Sequence, residues 1–356
     1  MTISIEVISG LNSKAPAAVL VATPQQRILL DAGGALEADA LPWPVPDNLT
    51  AVLLSHDHVD HIAGLDRLPP GIPVYCTRTT ARALPAGHNV RLIPVRGQFQ
   101  LGDLTVTTGS CGHALGGVWF HLDVAGGIFY SGDISMESAL FHFDTPPHAQ
   151  TALVDASYGL YDVPQREQWA KLQTMLSIPG LCPVPPSGRA VELALLLARS
   201  GRRDIALDAP CREMLWQMAE HNDGSLRADV QPELRQLMQA LPAFSLQAGV
   251  VLAADPDGQS GMAGELRATG DFHHRTLFTG HLNRAARQQW LDGEVDFCRW
   301  NVHPTLSSLQ ALVAMLNCRN LFPLFTPIDD VGRWQQLLQC EIMMKASLEL
   351  MNVTDM

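Results

Sequence analysis

Apolar positions in the first 155 residues come in short runs, each bounded by Gly, Pro or Asp. Residues 3–8, 17–23, 27–33, 51–55, 72–76, 91–95, 104–108, 117–125, 127–133 and 151–157 are rich in Val, Ile, Leu, Thr and aromatics, and each reads as a strand. Two helical patches interrupt them, near 60–68 and 79–84. From Pro164 the period changes. Residues 165–176, 187–201, 211–221 and 232–241 repeat their apolar positions every three or four residues, as amphipathic helices do. Strand-like pieces at 180–186, 204–209 and 248–254 alternate with them. Such alternation predicts a βαβ unit with a parallel sheet. After Thr279 the text returns to short β pieces, with a helix over 306–317 and a strand over 321–326. The predicted organisation is therefore a β-rich unit begun by 1–160, an inserted α/β unit over 161–278, and a closing part of the first unit over 279–356.

At 356 residues, 47% hydrophobic and 17% charged, the chain can build large cores and is not a disordered sequence. Its net charge of −12 argues against a generic polyanion binder, which carries a basic face. It does not exclude a nuclease whose metal ions supply the local positive charge. The basic residues are lopsided: only Lys14, Lys171 and Lys345 are lysines, and the rest are arginines. The cysteines at 76, 111, 182, 211, 298, 318 and 340 are scattered and form no C-x-x-C pair, which suits reduced thiols in a cytoplasmic protein. The first ten residues lack a basic region followed by an apolar stretch, so no signal peptide is read, and no apolar run reaches membrane-spanning length.

The candidate chemistry lies at the end of the fourth strand. Residues 56–61, His-Asp-His-Val-Asp-His, place three histidines and two aspartates in six residues directly after an apolar run. A core cannot accept such groups unless something satisfies them. A metal would. Side chains two apart on extended backbone share a face, so His56 and His58 can reach one ion. Asp60 and His61, on the next turn, can reach a second. A nitrogen and oxygen donor set of this kind suits Zn²⁺, with Mn²⁺ as a competitor.

This motif resembles that of the metallo-β-lactamase superfamily, whose fold is an αββα sandwich with a dinuclear metal site between its sheets. Further stretches match in order. Residues 27–34 resemble the early Asp motif, which implies that Asp31 supports a ligand from behind. Residues 109–120 resemble the third motif and imply His113 as a ligand of the first ion. Residues 127–135 resemble the fourth and imply Asp133 as a carboxylate bridging both ions. The resemblance thus implies one ion held by His56, His58, His113 and Asp133, and another by Asp60, His61 and Asp133. Two ions so held share a hydroxide and clamp the attacking and leaving oxygens of a hydrolysis. This suits a phosphodiester, a thioester or a lactone, and the site alone does not choose among them.

The second half of the chain narrows the choice. Residues 151–167 resemble motif A of the β-CASP nucleases, the nucleic-acid-processing branch of the superfamily, with Asp155 as its acidic residue. Residues 183–201 resemble the start of the inserted β-CASP domain through Gly188, Arg189 and Glu192, and Gly280 matches where that branch returns to the metal domain. Residues 298–313 resemble motif B, with His303 as its histidine. A leaving alkoxide needs a proton, and an imidazole beside the metals can deliver it near neutral pH. Asp155 would hold the other ring nitrogen. The expected activity is hydrolysis of RNA or DNA. Arg189, Arg284 and Arg287 are candidates for phosphate contacts. The chain also departs from the pattern. RNA-processing members place a further histidine, motif C, after the next strand, but no histidine follows His303 here, so the second ion lacks a protein ligand and should bind more weakly. Where the branch has Gly-Thr after the re-entry strand, this chain has Asn283-Arg284. A small-molecule metallohydrolase of the same fold, or a scaffold subunit of low activity, are the competing expectations.

Overall fold

The structure, a computed structural model, describes residues 2–35, 41–269 and 272–351. These residues form two seven-stranded sheets and one five-stranded sheet. The first sheet runs in the order Ser347–Met351, Thr2–Ser9, Ala18–Ala22, Arg27–Leu30, Ala51–Leu53, Pro73–Cys76, Asn89–Leu92, and its last four strands are parallel. The second runs Glu341–Ile342, Asn320–Leu324, Thr151–Asp155, Ile128–Tyr130, Val118–Leu122, Leu104–Ser110, Gly97–Leu101, with its first four strands parallel.

Strand alternation sends successive side chains to opposite faces, and here both faces of each sheet are covered. Ile5, Val21, Ile28 and Leu30 of the first sheet meet Val106, Phe120, Tyr130 and Phe322 of the second in one core. The outer face of the first sheet, through Leu29, Val52 and Val74, packs on Trp43, Leu65 and Ala81. The outer face of the second, through Trp119, Phe129 and Val154, packs on helices Leu306–Leu316 and Val331–Leu338. The result is a four-layer αββα sandwich. Its first strand pairs with the last described one, Ile3 opposite Leu350, so segments from the two ends of the chain close the first sheet together.

The third sheet is wholly parallel, in the order Ile205–Leu207, Val250–Ala253, Gly180–Pro183, Arg275–Phe278, Asp296–Phe297. Parallel strands are buried on both faces, which is why residues 205–207 and 250–253 are wholly apolar. Helices Val191–Arg199, Ala209–Glu220 and Val230–Ala240 cover one face, and helix Gly261–Ala268 covers the other. One strand of this sheet, Asp296–Phe297, lies beyond position 278. No helix among the described residues is long and apolar enough to cross a membrane.

Candidate metal centre

Parallel strands deliver their following loops to one end of a sheet, and ligand sites gather there. Asp31 follows strand Arg27–Leu30, and His56 and His58 follow its parallel neighbour Ala51–Leu53. From the other sheet, Asp133 follows Ile128–Tyr130 and Asp155 ends its parallel neighbour Thr151–Asp155, while His113 follows Leu104–Ser110. The sheets touch at this end. The Val118 amide donates to the Ser55 carbonyl at 2.9 Å. A Cβ at Gly132 (φ +55°) would lie 2.5 Å from the Ser55 Cβ, so only glycine permits this approach.

One ligand atom each from His56, His58, His113 and Asp133 lie within 4.8 Å of one another. His56 Nε2 is buried and has no hydrogen-bond partner among the described residues. His113 Nδ1 donates to the Val302 carbonyl at 2.5 Å, which leaves its Nε2 lone pair facing His58 Nδ1 at 3.2 Å and Asp133 Oδ2 at 3.6 Å. Burial pushes His58 and His113 down to about 4, so both imidazoles are neutral and present lone pairs at ordinary pH. Asp133 stays well below the usual carboxylate range: burial opposes this, but His61 and His303 outweigh it. Three neutral imidazoles and a carboxylate converging on a common point, one of them otherwise orphaned, fit a divalent cation.

His61 is arranged differently. Its Nδ1 donates to Asp31 Oδ2 at 2.7 Å, and its Nε2 lies 3.3 Å from Asp133 Oδ1. Burial alone would lower its pKa, yet Asp133 and Asp31 together raise it well above the ordinary value. Asp31 Oδ2 also accepts from the Ser55 and Tyr130 hydroxyls at 2.7 Å each, and its Oδ1 accepts from the Ser55 amide at 2.7 Å. Asp31 therefore fixes the tautomer and orientation of His61 without facing the cation point itself. Asp31 also reaches the ligand set through Ser55, whose Oγ lies 3.0 Å from His56 Nδ1, so replacing Asp31 with Asn should lower metal affinity by roughly 10–100-fold, checked by competition against a chelating dye. An unchanged affinity would make the Asp31 cluster purely structural.

A second convergent set consists of Asp133, Asp155 and His303, and neither set takes in Asp60 or His61. His303 Nδ1 donates to the buried Asp155 Oδ2 at 2.7 Å. Its ring centroid is 5.0 Å from that of His113, its Nδ1 lies 3.7 Å from Asp133 Oδ2, and its side chain is 14% exposed, so it borders the cation point and stays partly open to solvent. Asp60 Oδ2 lies 3.8 Å from Lys14 Nζ.

Several partners were not singled out from the sequence. Ser55 and Tyr130 hold Asp31, and Ser187 Oγ of the α/β unit lies 3.2 Å from His58 Nε2. Ser55 sits next to His56 and was open to suspicion; Ser187 and Tyr130 carry no local signal. Arg189 is half-buried and close against Gly280, where a Cβ would lie 2.0 Å from its Nη1. Glu192 is buried and accepts from the Ser138 hydroxyl at 2.8 Å, the Ala139 amide at 2.5 Å and the Trp300 indole at 2.8 Å, which ties the α/β unit to the sandwich. Arg284 and Arg287 are exposed on helix Arg284–Leu291.

Residues 26–165 match the family described as the beta-lactamase superfamily domain. The chain is 28% identical over 273 residues to the transcription termination factor FttA of Methanocaldococcus jannaschii, a match covering 60% of this chain and 42% of that protein. It is 24% identical over 268 residues to FttA of Cenarchaeum symbiosum, covering 58% of this chain and 41% of that protein. The matches thus span about two fifths of the length of these curated relatives. A crystal structure of a protein of unknown function from Enterococcus faecalis V583 superposes with a TM-score of 0.65 over 98% of this chain and 100% of the other, at 13% identity, which speaks for the fold alone. Residues 26–165 thus carry a beta-lactamase superfamily domain, and these likenesses support placing the chain with the metallo-β-lactamase superfamily, β-CASP branch.

Proposed function

We propose that the chain is a metal-dependent phosphodiesterase that cuts RNA or DNA, using Zn²⁺ held by His56, His58, His113 and Asp133. The observation that carries this reading is the His303–Asp155 pair, 2.7 Å long, set beside the four-residue cation point. With Nδ1–H committed to Asp155, Nε2 of His303 is the atom that carries a transferable proton. It donates that proton to the departing oxygen, and the carboxylate of Asp155 keeps the ring in place throughout. The ion, when bound, lowers the pKa of water and draws negative charge off the phosphate. The nitrogen-rich donor set favours zinc over manganese. Relatives named as transcription termination factors favour RNA as the first substrate to try.

The α/β unit adjoins the metal centre: it brings Ser187 to His58 and supports the His303 segment through Trp300 and Asn301. We place this unit at 161–278 with the addition of helix Arg284–Leu291 and strand Asp296–Phe297, which pack on Phe278, and of Cys298 and Trp300, which enter its core; the remainder of the described chain forms the sandwich. Arg189, Arg284 and Arg287 remain the candidates for phosphate contact. All seven cysteines are free thiols, in keeping with a cytoplasmic setting.

The test is incubation of zinc-loaded protein with end-labelled single- and double-stranded RNA and DNA, with and without chelator. Chelator-sensitive cleavage is the expected result. Hydrolysis of a small thioester or phosphodiester, with every nucleic acid left intact, would replace this reading with that of a small-molecule hydrolase.

A further inference from the structure

The loop between the first two strands is fastened on two sides. On one side, the Phe325 amide donates to the Gly10 carbonyl at 2.7 Å, and the Ile328 amide donates to Asn12 Oδ1 at 2.7 Å. Gly10 (φ +98°) lies so close that a Cβ would sit 2.8 Å from the Phe325 ring. On the other side, the Ala17 amide donates to the Asp60 carbonyl at 2.8 Å. Between these anchors the loop carries Lys14. Its Nζ lies 3.8 Å from Asp60 Oδ2 and 5.4 Å from the Phe325 ring centroid. Phe325 in turn packs edge-on against His61, centroids 5.8 Å apart.

Asp60, His61 and Phe325 frame the place where a second ion would sit. Phe325 directly follows strand Asn320–Leu324, and its ring offers no lone pair to a metal. Asp60 and His61 fall outside the convergent sets of ligand atoms. Besides the imidazole of His61, which Asp133 and Asp31 hold in its charged form, the positive charge found beside Asp60 is the ammonium of Lys14.

We propose that the Lys14 ammonium takes the place of a second metal ion, so that the centre holds one ion and Lys14 supplies the adjoining positive charge for the scissile phosphate. This rests on the nuclease reading above for the identity of the substrate, but not for the exchange of ion for ammonium. The chemistry is suitable. Lysine is a compact point charge and a good phosphate partner. Its side chain is 31% exposed, so it remains open to an incoming group. An ammonium on Asp60 also repels a divalent cation from the same carboxylate.

The test is zinc titration followed by native mass spectrometry and elemental analysis, on the intact protein and on Lys14→Ala, Lys14→Arg and Lys14→Ala/Phe325→His. The intact protein and Lys14→Arg should saturate at one ion. Lys14→Ala should take a second ion with affinity on the order of 10–100-fold above the intact protein's, because a positive charge beside Asp60 no longer repels it. The double variant, which gains an imidazole, should hold that ion tighter still. With one ion bound, Lys14→Ala should also lose about 10²–10³-fold in kcat on whichever nucleic acid is cut. Thermal melts exclude misfolding as the cause. Two ions of comparable strength in the intact protein would overturn the proposal, and so would a single ion in both alanine-containing variants. No bound ion at all would overturn it together with the metal centre. If no nucleic acid is cleaved but Lys14→Ala gains an ion, the exchange stands and the nuclease reading falls.

Discussion

Replacing His303 with alanine is expected to lower kcat by about 10²–10⁴-fold while KM changes little. The proton from Nε2 matters only as the leaving oxygen departs, so its loss falls on the transition state and not on substrate binding. Metal content should hold, because His56, His58, His113 and Asp133 converge without His303. Asp155→Asn should show a milder form of the same defect. The double variant should be little worse than His303→Ala, as expected of groups that act as one unit through their 2.7 Å hydrogen bond. A nitrophenyl phosphodiester leaves without needing a proton and should be spared most of the loss. Initial rates on both substrates, with elemental analysis of each variant, check this. Since Asp133, Asp155 and His303 themselves form a convergent set, loss of an ion from His303→Ala would make His303 a ligand instead. Full activity on nucleic acid would make it structural.

Asp133→Ala should reduce activity to background, a loss above roughly 10⁴-fold. A bound cation supplies several kcal/mol of charge stabilisation, and each 1.36 kcal/mol is a factor of ten in rate. Asp133 is the carboxylate common to both convergent sets, and it lies 3.9 Å from His56 Nε2, 3.6 Å from His113 Nε2 and 3.3 Å from His61 Nε2. Without it, the donor set of His56, His58 and His113 has no carboxylate to offset the charge of a bound cation. Zinc affinity, measured by dye competition, should fall with activity, and added zinc should restore part of it. A variant that keeps its ion and most of its rate would move the reacting centre elsewhere.

Much of this molecule could be read locally, because its signals are local. Strand Ala51–Leu53 is apolar because it is buried on both faces, and the ligands of 56–61 follow it directly because a strand end delivers a loop. The change of period at Pro164 marked a separate parallel sheet, since βαβ units need amphipathic helices between apolar strands. Short or irregular pieces were less legible. Strand Gly97–Leu101 alternates but carries only two apolar residues, Phe99 and Leu101, and helices Gly261–Ala268 and Val331–Leu338 are only two turns long. Asp296–Phe297 is too short to carry any pattern, so its membership of the third sheet depends on pairing alone.

The sequence by itself determined which residue types could bind a cation and the order in which strands would present them, because spacing along an extended chain controls which side chains share a face. Contacts between residues far apart in the chain were decided by the tertiary structure alone. The pairing of His303 with Asp155 spans 148 positions, and Ser187 reaches His58 across 129. Lys14 meets Asp60 only because the first loop is pinned to Phe325 and Ile328, contacts made more than 300 positions away. A lone lysine in a loop has no periodicity to reveal it; its place beside the carboxylate comes from the packing of two sheets whose strands are gathered from both ends of the chain.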